Sequence, residues 1–261
     1  MEADQWQSLP AMFFAQAVRM GSRPFLWTKQ EGRWQSRSYE EVATAVRRLA
    51  RGLQALGVVP GDRVALVAEN RPEWAIADLA IMAAGGISVP AFTTNTPSDH
   101  RHVLTHSGAK GVILSTKAMA DRVLPAALEA HELGFIVTID ELPMAQRIGK
   151  RVISWEEAQA AAPAEGAESI DAISARLTRG DVACFIYTSG TGGTPKGVML
   201  THGSILCNCR GAYHLLKELG VGDEVFLCFL PLSHSYEHTV GQLFPISIRS
   251  EEHTSELQSL V

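Results

Sequence analysis

Residues 187–197 read Tyr-Thr-Ser-Gly-Thr-Gly-Gly-Thr-Pro-Lys-Gly, a segment rich in glycine and hydroxyl side chains. The apolar run 182–187 leads into it and predicts a buried strand, so the segment is expected at that strand's carboxyl end. Glycine lets the backbone approach a ligand closely, and successive N–H groups in such turns form an anion-binding concavity. The hydroxyls add hydrogen-bond donors, and Lys196 adds a positive charge. The sequence therefore predicts a phosphate-binding loop, with an ordinary mobile surface turn as the alternative.

The spacing of the glycines excludes two common phosphate-binding motifs. A Walker loop needs G-x-x-x-x-G-K, but the fifth residue after Gly190 is Pro195, and G-x-G-x-x-G fails at the same place. The segment instead resembles Y-T-S-G-T-T-G-x-P-K-G-V, the signature of the adenylate-forming superfamily of acyl- and aryl-CoA synthetases, luciferases and peptide-synthetase adenylation domains. It departs from that signature at Gly192, where Thr or Ser is usual, which removes one hydroxyl and loosens the loop.

The resemblance implies an activity and a set of ligands. Enzymes of this superfamily join a carboxylate to AMP from ATP, with Mg²⁺, and those that make thioesters then transfer the acyl group to the co-substrate CoA. It also implies which residues of this chain contact the ATP phosphates: Thr188, Ser189, Gly190, Thr191, Gly192, Gly193, Thr194 and Lys196.

Further segments are similar to long-chain fatty acid–CoA ligases within this superfamily. They are Leu-Pro-Leu-Ser-His at 230–234, followed by Glu237, and Thr-Pro-Ser at 96–98 leading to His-Ser-Gly at 106–108. The resemblance implies that His234 lines the entrance for the carboxylate and the acyl chain. It makes a long-chain fatty acid the expected substrate, with medium-chain or aryl substrates as alternatives. The alternative for His234 is a hydrogen-bonded histidine at the end of a strand.

A rival interpretation comes from residues 234–238, which spell His-x-x-Glu-His, the inverted zinc-peptidase motif. On a helix the two histidines would share one face. Pro231 and Ser233 argue against it, because they place His234 where a strand meets a helix. A third interpretation is a nucleotide-binding module without catalytic activity.

Helical patterns alternate with short apolar runs from residue 39 onward. This order predicts an α/β fold with a mainly parallel sheet layered with helices, the front portion of the large N-terminal domain of adenylate-forming enzymes. An N-terminal helix and a hairpin at 24–38 precede it, and the predicted strands are 64–68, 87–91, 111–114, 135–139, 182–187, 198–200 and 224–230. The predicted parts are 1–157, a connector at 158–180, and the phosphate-loop segment at 181–248.

The tail at 249–261 breaks the pattern, because an acidic, polar string replaces the preceding apolar residues. It looks like the translation of a sequencing adapter, so we expect it to be non-native and the chain to be an incomplete piece of its enzyme.

Bulk properties narrow the class of protein. The chain has 261 residues, 46% of them hydrophobic, and a net charge of −5, which gives no reason to expect a nucleic acid partner. The N-terminus lacks the pattern of a signal peptide, so the expected location is the cytoplasm, with at most peripheral membrane contact. Four residues are expected to be reduced thiols: Cys184, Cys207, Cys209 and Cys228.

Overall fold

The computed structural model describes residues 6–142, 149–162, 166–188, 194–219 and 225–248, and the backbone of 251–254. The strands are β1 (Pro24–Gln30), β2 (Arg33–Ser38), β3 (Arg63–Val67), β4 (Ile87–Pro90), β5 (Gly111–Leu114), β6 (Phe135–Thr138), β7 (Arg151–Ser154), β8 (Val182–Thr188), β9 (Lys196–Thr201), β10 (Val225–Cys228) and β11 (Glu251–Thr254). The α-helices are α1 (Leu9–Met20), α2 (Tyr39–Ala55), α3 (Pro72–Ala83), α4 (Pro97–Ser107), α5 (Lys117–Glu129), α6 (Trp155–Ala160), α7 (Ile170–Arg176), α8 (His202–Leu216), α9 (Ser235–Glu237) and α10 (Phe244–Ile248). A 3₁₀ turn (Lys217–Leu219) follows α8, and a π-helix (His238–Leu243) joins α9 to α10.

Seven strands form the larger sheet in the order β7-β6-β5-β3-β4-β8-β9. All neighbours run parallel except β9, which returns antiparallel beside β8. The predicted α/β class and mainly parallel sheet are confirmed. Beyond the prediction, the two strands that flank the phosphate loop form an antiparallel hairpin at one edge of this sheet.

The larger sheet separates two hydrophobic cores. Along β3, Val64 and Leu66 pack in a core shared with α1, α2 and α3, whereas Ala65 and Val67 pack in a second core with α4 and α5. This alternation follows from the two-residue period of a strand. Helices therefore cover both faces, which leaves the ends of the strands as the places where a ligand can approach.

Local signals in the sequence determine where several helices begin and end. A capping box starts α2: Glu41 N–H donates to Ser38 Oγ at 3.2 Å, and Ser38 N–H donates to the Glu41 carboxylate at 2.7 Å. Helix α4 ends at Gly108, which takes a left-handed conformation with φ 62°. The same kind of glycine ends the turn of the predicted β1–β2 hairpin, where Gly32 has φ 79°.

The smaller sheet has the order β10-β11-β1-β2. The backbone of 251–254 lies inside the segment predicted as a non-native tail, and it pairs in parallel with both β1 and β10. Helix α7 lies inside the segment predicted as a connector, with Ile170 and Ile173 buried. The division of the chain into parts and the origin of the tail stay predictions. Within the described ranges, no helix is long and apolar enough to cross a membrane.

Candidate active site

The candidate site lies at the carboxyl ends of β4 and β8. After β4 the chain crosses toward β5 on one side, and after β8 it turns toward β9 on the other, so the two connections diverge. Open α/β sheets place ligands in such crevices. A cavity of about 380 Å³ opens here, lined by Ala91, Phe92, Asn95, Asp99, Val103, Ile186, Tyr187, Thr188, Pro195, His234 and Ser235.

The β8–β9 hairpin holds both ends of the predicted phosphate loop. Thr188 pairs with Lys196 at the end of the ladder, and Tyr187 pairs with Gly197 one step earlier. The side chains of Thr188, Thr194 and Lys196 are exposed. The middle of the predicted loop lies outside the described residues, namely Ser189, Gly190, Thr191, Gly192 and Gly193. The structure therefore brings the two flanks of the loop together beside the cavity.

Gly197 lies close to the Tyr187 ring within this hairpin. A Cβ atom there would lie 3.2 Å from the Tyr187 ring, tighter than an ordinary van der Waals contact. Tyr187 is buried, and burial raises the pKa of its hydroxyl, so the group stays protonated near neutral pH. The ring is thus a fixed, uncharged support directly before the loop.

His234 also lines this cavity, at the start of α9. Its Nδ1 accepts a hydrogen bond from Tyr236 N–H at 3.2 Å, and its carbonyl accepts from His238 N–H at 2.9 Å. Because Nδ1 is occupied as an acceptor, the neutral ring carries its hydrogen on Nε2. The side chain is exposed, so Nε2 is the nitrogen that can meet a ligand.

The His-x-x-Glu-His motif does not form a metal-binding face. His238 is completely buried, with Nε2 2.8 Å from Asp78 Oδ2, whereas His234 is exposed and caps a helix. Glu237 is buried and accepts from Phe229 N–H at 3.1 Å. Among the residues that the structure describes, no group of three His, Cys, Asp or Glu side chains could hold a metal ion. The three side chains of the motif serve separate partners, which removes the basis of the zinc-hydrolase interpretation.

A buried charged network lies beneath the candidate site. Burial alone would lower the pKa of His238. The charge and hydrogen bond of the adjacent Asp78 carboxylate outweigh burial and raise this pKa to about 10, so the two groups form an ion pair. Gln242 Nε2 also donates to Asp78 Oδ2 at 3.2 Å, and Cys184 Sγ lies 3.9 Å from His238 Nδ1. The network joins β8, which leads to the phosphate loop, to the π-helix that follows His234. Sequence reasoning missed this network. The sequence does contain a signal for it, because Asp78 interrupts the apolar run of α3 and a buried charge needs a partner.

A larger cavity of about 570 Å³ lies at the carboxyl ends of β3 and β5, where the connections also diverge. Its wall includes Arg37, Arg71 and Glu73, linked by ion pairs of 2.7 and 2.8 Å. Burial raises the pKa of Glu73, but the hydrogen bond from Arg71 and the two guanidinium charges hold it below its usual range. The Glu73 carboxylate and the two guanidinium groups therefore act as ion-pair partners for one another.

Comparison with known proteins places the chain in a family. The profile of the family described as "AMP-binding enzyme" matches residues 13–255. The chain therefore belongs to the AMP-binding enzyme family, as the phosphate-loop signature predicts.

Among curated relatives, the long-chain-fatty-acid–CoA ligase FadD15 of Mycobacterium tuberculosis is 33% identical over 235 residues, which are 88% of this chain and 37% of that protein. The peroxisomal long chain acyl-CoA synthetase 7 of Arabidopsis thaliana is 31% identical over 79% of this chain and 29% of its own length. The chain thus spans about a third of the length of these relatives.

Solved structures give the same fold. The anthranilate CoA ligase AuaEII, in complex with anthranoyl-AMP, superposes on 97% of this chain with a TM-score of 0.78 and 20% identity. A benzoate CoA ligase from Burkholderia xenovorans LB400 superposes on 95% with a TM-score of 0.73 and 27% identity. The chain covers 46% and 45% of those two proteins.

Proposed function

We propose that this chain is the front part of an ATP-dependent ligase that activates a long-chain fatty acid and transfers it to CoA. The observation that carries the proposal is the position of the β8–β9 hairpin, which brings Thr188 and Pro195 to the cavity that His234 lines and pairs Lys196 with Thr188 in the ladder. The identity to curated long-chain fatty acid ligases supports the choice of substrate. The chain covers about a third of those relatives, so activity is proposed for the longer enzyme.

The chemistry begins with a difficult encounter, because a carboxylate must approach a polyanionic triphosphate. A carboxylate oxygen attacks the α-phosphorus, and the bond from that phosphorus to the bridging oxygen of the β-phosphate breaks. Pyrophosphate leaves with the electron pair. The CoA sulfur then attacks the acyl carbon, AMP leaves, and the thiol proton passes to solvent. Most of the acceleration in such phosphorus chemistry comes from positioning and from stabilising negative charge.

Lys196 and the loop stabilise charge on the departing pyrophosphate in this proposal. Lys196 follows the loop directly, at the first ladder position of the hairpin, which fixes its backbone while the side chain stays exposed. Thr188 and Thr194 offer hydroxyl donors at the two flanks. The remaining loop residues carry the role that the family signature implies: Ser189, Gly190, Thr191, Gly192 and Gly193.

His234 is proposed to bind the carboxylate end of the fatty acid through Nε2–H. The cavity wall beside it contains apolar side chains that suit the first methylenes of an acyl chain, including Ala91, Phe92 and Val103. Mg²⁺ enters with ATP as part of the substrate in this scheme. Among the described residues that line this cavity, Asp99 is the one with a carboxylate. It already accepts hydrogen bonds from Thr96, which lower its pKa, so it is committed to capping α4.

The test compares three proteins in a thioester assay with palmitate, Mg·ATP and CoA. They are this chain, a polypeptide that continues it to the length of its relatives, and that longer polypeptide with Lys196→Ala. We expect palmitoyl-CoA from the longer protein and a loss of at least about a hundredfold with Lys196→Ala, the scale of losing a charge-stabilising group. Silence of the longer protein with every fatty acid would contradict the proposal. Activity of the 261-residue chain alone would contradict its incompleteness.

A further inference from the structure

The segment that carries His234 is neither helix nor strand. It covers residues 229–234, between β10 and α9, and we call it the histidine loop. One hydrogen bond is internal to it, from His234 N–H to the Pro231 carbonyl oxygen at 2.8 Å. Backbone N–H and C=O groups need partners, and a loop that pairs with no strand finds them on side chains or in water. The position of His234 therefore depends on which side chains hold this loop.

Asn70 holds the middle of the histidine loop, from the segment between β3 and α3. Its side-chain nitrogen donates to the Leu230 carbonyl oxygen at 2.7 Å, and its side-chain oxygen accepts from Leu232 N–H at 3.0 Å. An amide carries one donor side and one acceptor side, so a single Asn satisfies a backbone acceptor and a backbone donor at once. Asn70 thereby attaches the loop to the chain beyond the carboxyl end of β3.

Glu237 holds the beginning of the same loop, from α9. Its Oε1 accepts a hydrogen bond from Phe229 N–H at 3.1 Å, and the residue is only 3% exposed. Gly241, in the π-helix that follows, packs against it closely: a Cβ atom at Gly241 would lie 2.8 Å from the Glu237 carboxyl carbon. The carboxylate therefore has little room to move, and it joins the start of the loop to α9.

These two anchors restrict His234 from the side that precedes it, and α9 restricts it from the side that follows. His238 N–H donates to the His234 carbonyl oxygen at 2.9 Å, and Tyr236 N–H donates to its Nδ1 at 3.2 Å. A hydrogen bond from Nε2–H to a ligand depends steeply on distance and angle. A misplacement of about 1 Å in a binding group is enough to lose most of its effect.

We propose that Asn70 and Glu237 are positioning residues that hold His234 in place for the carboxylate of an acyl substrate. The inference rests on the proposed function, because it takes His234 as the partner of the carboxylate. Neither residue is among the described residues that line the cavity of His234, so both act through the histidine loop. Their loss should weaken the binding of a carboxylate and leave the binding of an uncharged alkyl chain unchanged.

The test measures the binding of decanoate and of 1-decanol to the 261-residue chain by isothermal titration calorimetry. The two probes share an alkyl chain, and only decanoate carries a carboxylate. His234→Ala should weaken decanoate binding about tenfold, the scale of one hydrogen bond to a charged group, and should leave decanol binding unchanged. Asn70→Ala should approach the same loss for decanoate alone. Asn208→Ala, at an exposed position of α8, is the matched control and should bind as the unmodified chain does.

Two substitutions at Glu237 separate the hydrogen bond from the packing. Glu237→Met removes the acceptor at similar size and should weaken decanoate binding. Glu237→Gln keeps an oxygen that accepts from Phe229 N–H and should restore most of the affinity. Glu156→Met, at an exposed position of α6, is the control. Thermal unfolding of every variant separates loss of positioning from loss of fold.

A double-mutant cycle tests whether Asn70 acts through His234. Asn70 lines the neighbouring cavity of about 570 Å³, so its substitution could also alter binding there. If it acts through His234, Asn70→Ala has no further effect on decanoate affinity once His234→Ala is present. A loss that adds to that of His234→Ala, or that affects decanol as much as decanoate, would contradict the inference.

The remaining outcomes distinguish the inference from the proposed function. If His234→Ala weakens decanoate binding but Asn70→Ala and Glu237→Met do not, the positioning inference is wrong and the role of His234 stands. If the folded chain binds no decanoate, or binds it equally well with His234→Ala, the carboxylate role of His234 fails for this chain and the inference fails with it.

Discussion

Acid should destabilise this fold through His202, the first residue of α8. The imidazole is buried, and its Nδ1 accepts a hydrogen bond from Leu9 N–H at 3.3 Å, at the start of α1. Protonation of Nδ1 would break that bond and place a positive charge at a helix N-terminus, where the helix dipole disfavours it. Burial lowers the pKa of His202 to about 4, despite the opposing charges of Asp181 and Asp78.

The direction and size of the effect follow from this shift. Between about pH 6.5 and about pH 4, the unfolded chain binds a proton at His202 that the folded chain does not. The contribution to stability is therefore present above about pH 6.5 and is lost as the pH falls toward 4. Each pH unit in this window removes up to about 1.4 kcal/mol from the free energy of unfolding, or roughly 3 kcal/mol in total.

The substitution His202→Asn isolates this contribution. The Asn side-chain oxygen replaces Nδ1 as the acceptor for Leu9 N–H but does not titrate. Urea unfolding at a series of pH values, followed by tryptophan fluorescence, gives the free energy of unfolding of each protein. We expect the slope of that free energy against pH to fall by about 1 kcal/mol per pH unit in the variant. His214→Asn, at an exposed position of α8, is the control. Equal slopes for His202→Asn and the unmodified chain would refute the argument.

Two further substitutions test a buried ion pair and a close packing contact by the same unfolding measurement. Asp78→Asn leaves His238 buried without its carboxylate and should cost about 3 kcal/mol; an unchanged midpoint would contradict the ion pair. In the unmodified chain the raised pKa of His238 should make stability fall as the pH rises from about 6.5 toward about 10, and Asp78→Asn should remove that decline. Gly111→Ala would place a Cβ atom 2.0 Å from the Phe135 ring and should cost about 1–3 kcal/mol. Gly211→Ala, which meets nothing within 4 Å, should cost nothing, and equal losses in the two variants would contradict the overpacking argument.

Most of the fold was predicted from local signals in the sequence. The capping box of Ser38 and Glu41 and the left-handed Gly108 act within a few residues, so the sequence reveals them directly. Strand β7 and helix α7 were missed because both are short and only partly buried, which leaves a weak periodic pattern. Their position depends on neighbours that are distant in the sequence.

The candidate site was likewise predictable only where its residues lie close together in the sequence. The signature identified Thr188, Thr194 and Lys196 as one unit; in the structure Thr188 lines the cavity of His234 and pairs with Lys196 in the ladder. The supporting contacts were not predictable, because they join residues far apart in the chain. Asn70 and Leu232 are separated by 162 positions, and Asp78 and His238 by 160. Only the folded topology brings such pairs together.

The role proposed for the loop at 187–197 is the adenylation of a carboxylate. Exchange of labelled pyrophosphate into ATP measures that step without CoA, in the polypeptide that continues this chain to the length of its relatives. We expect exchange that requires a fatty acid and Mg²⁺ and that nearly disappears with Lys196→Ala. Exchange that proceeds equally without a carboxylate, or at the same rate with Lys196→Ala, would contradict it.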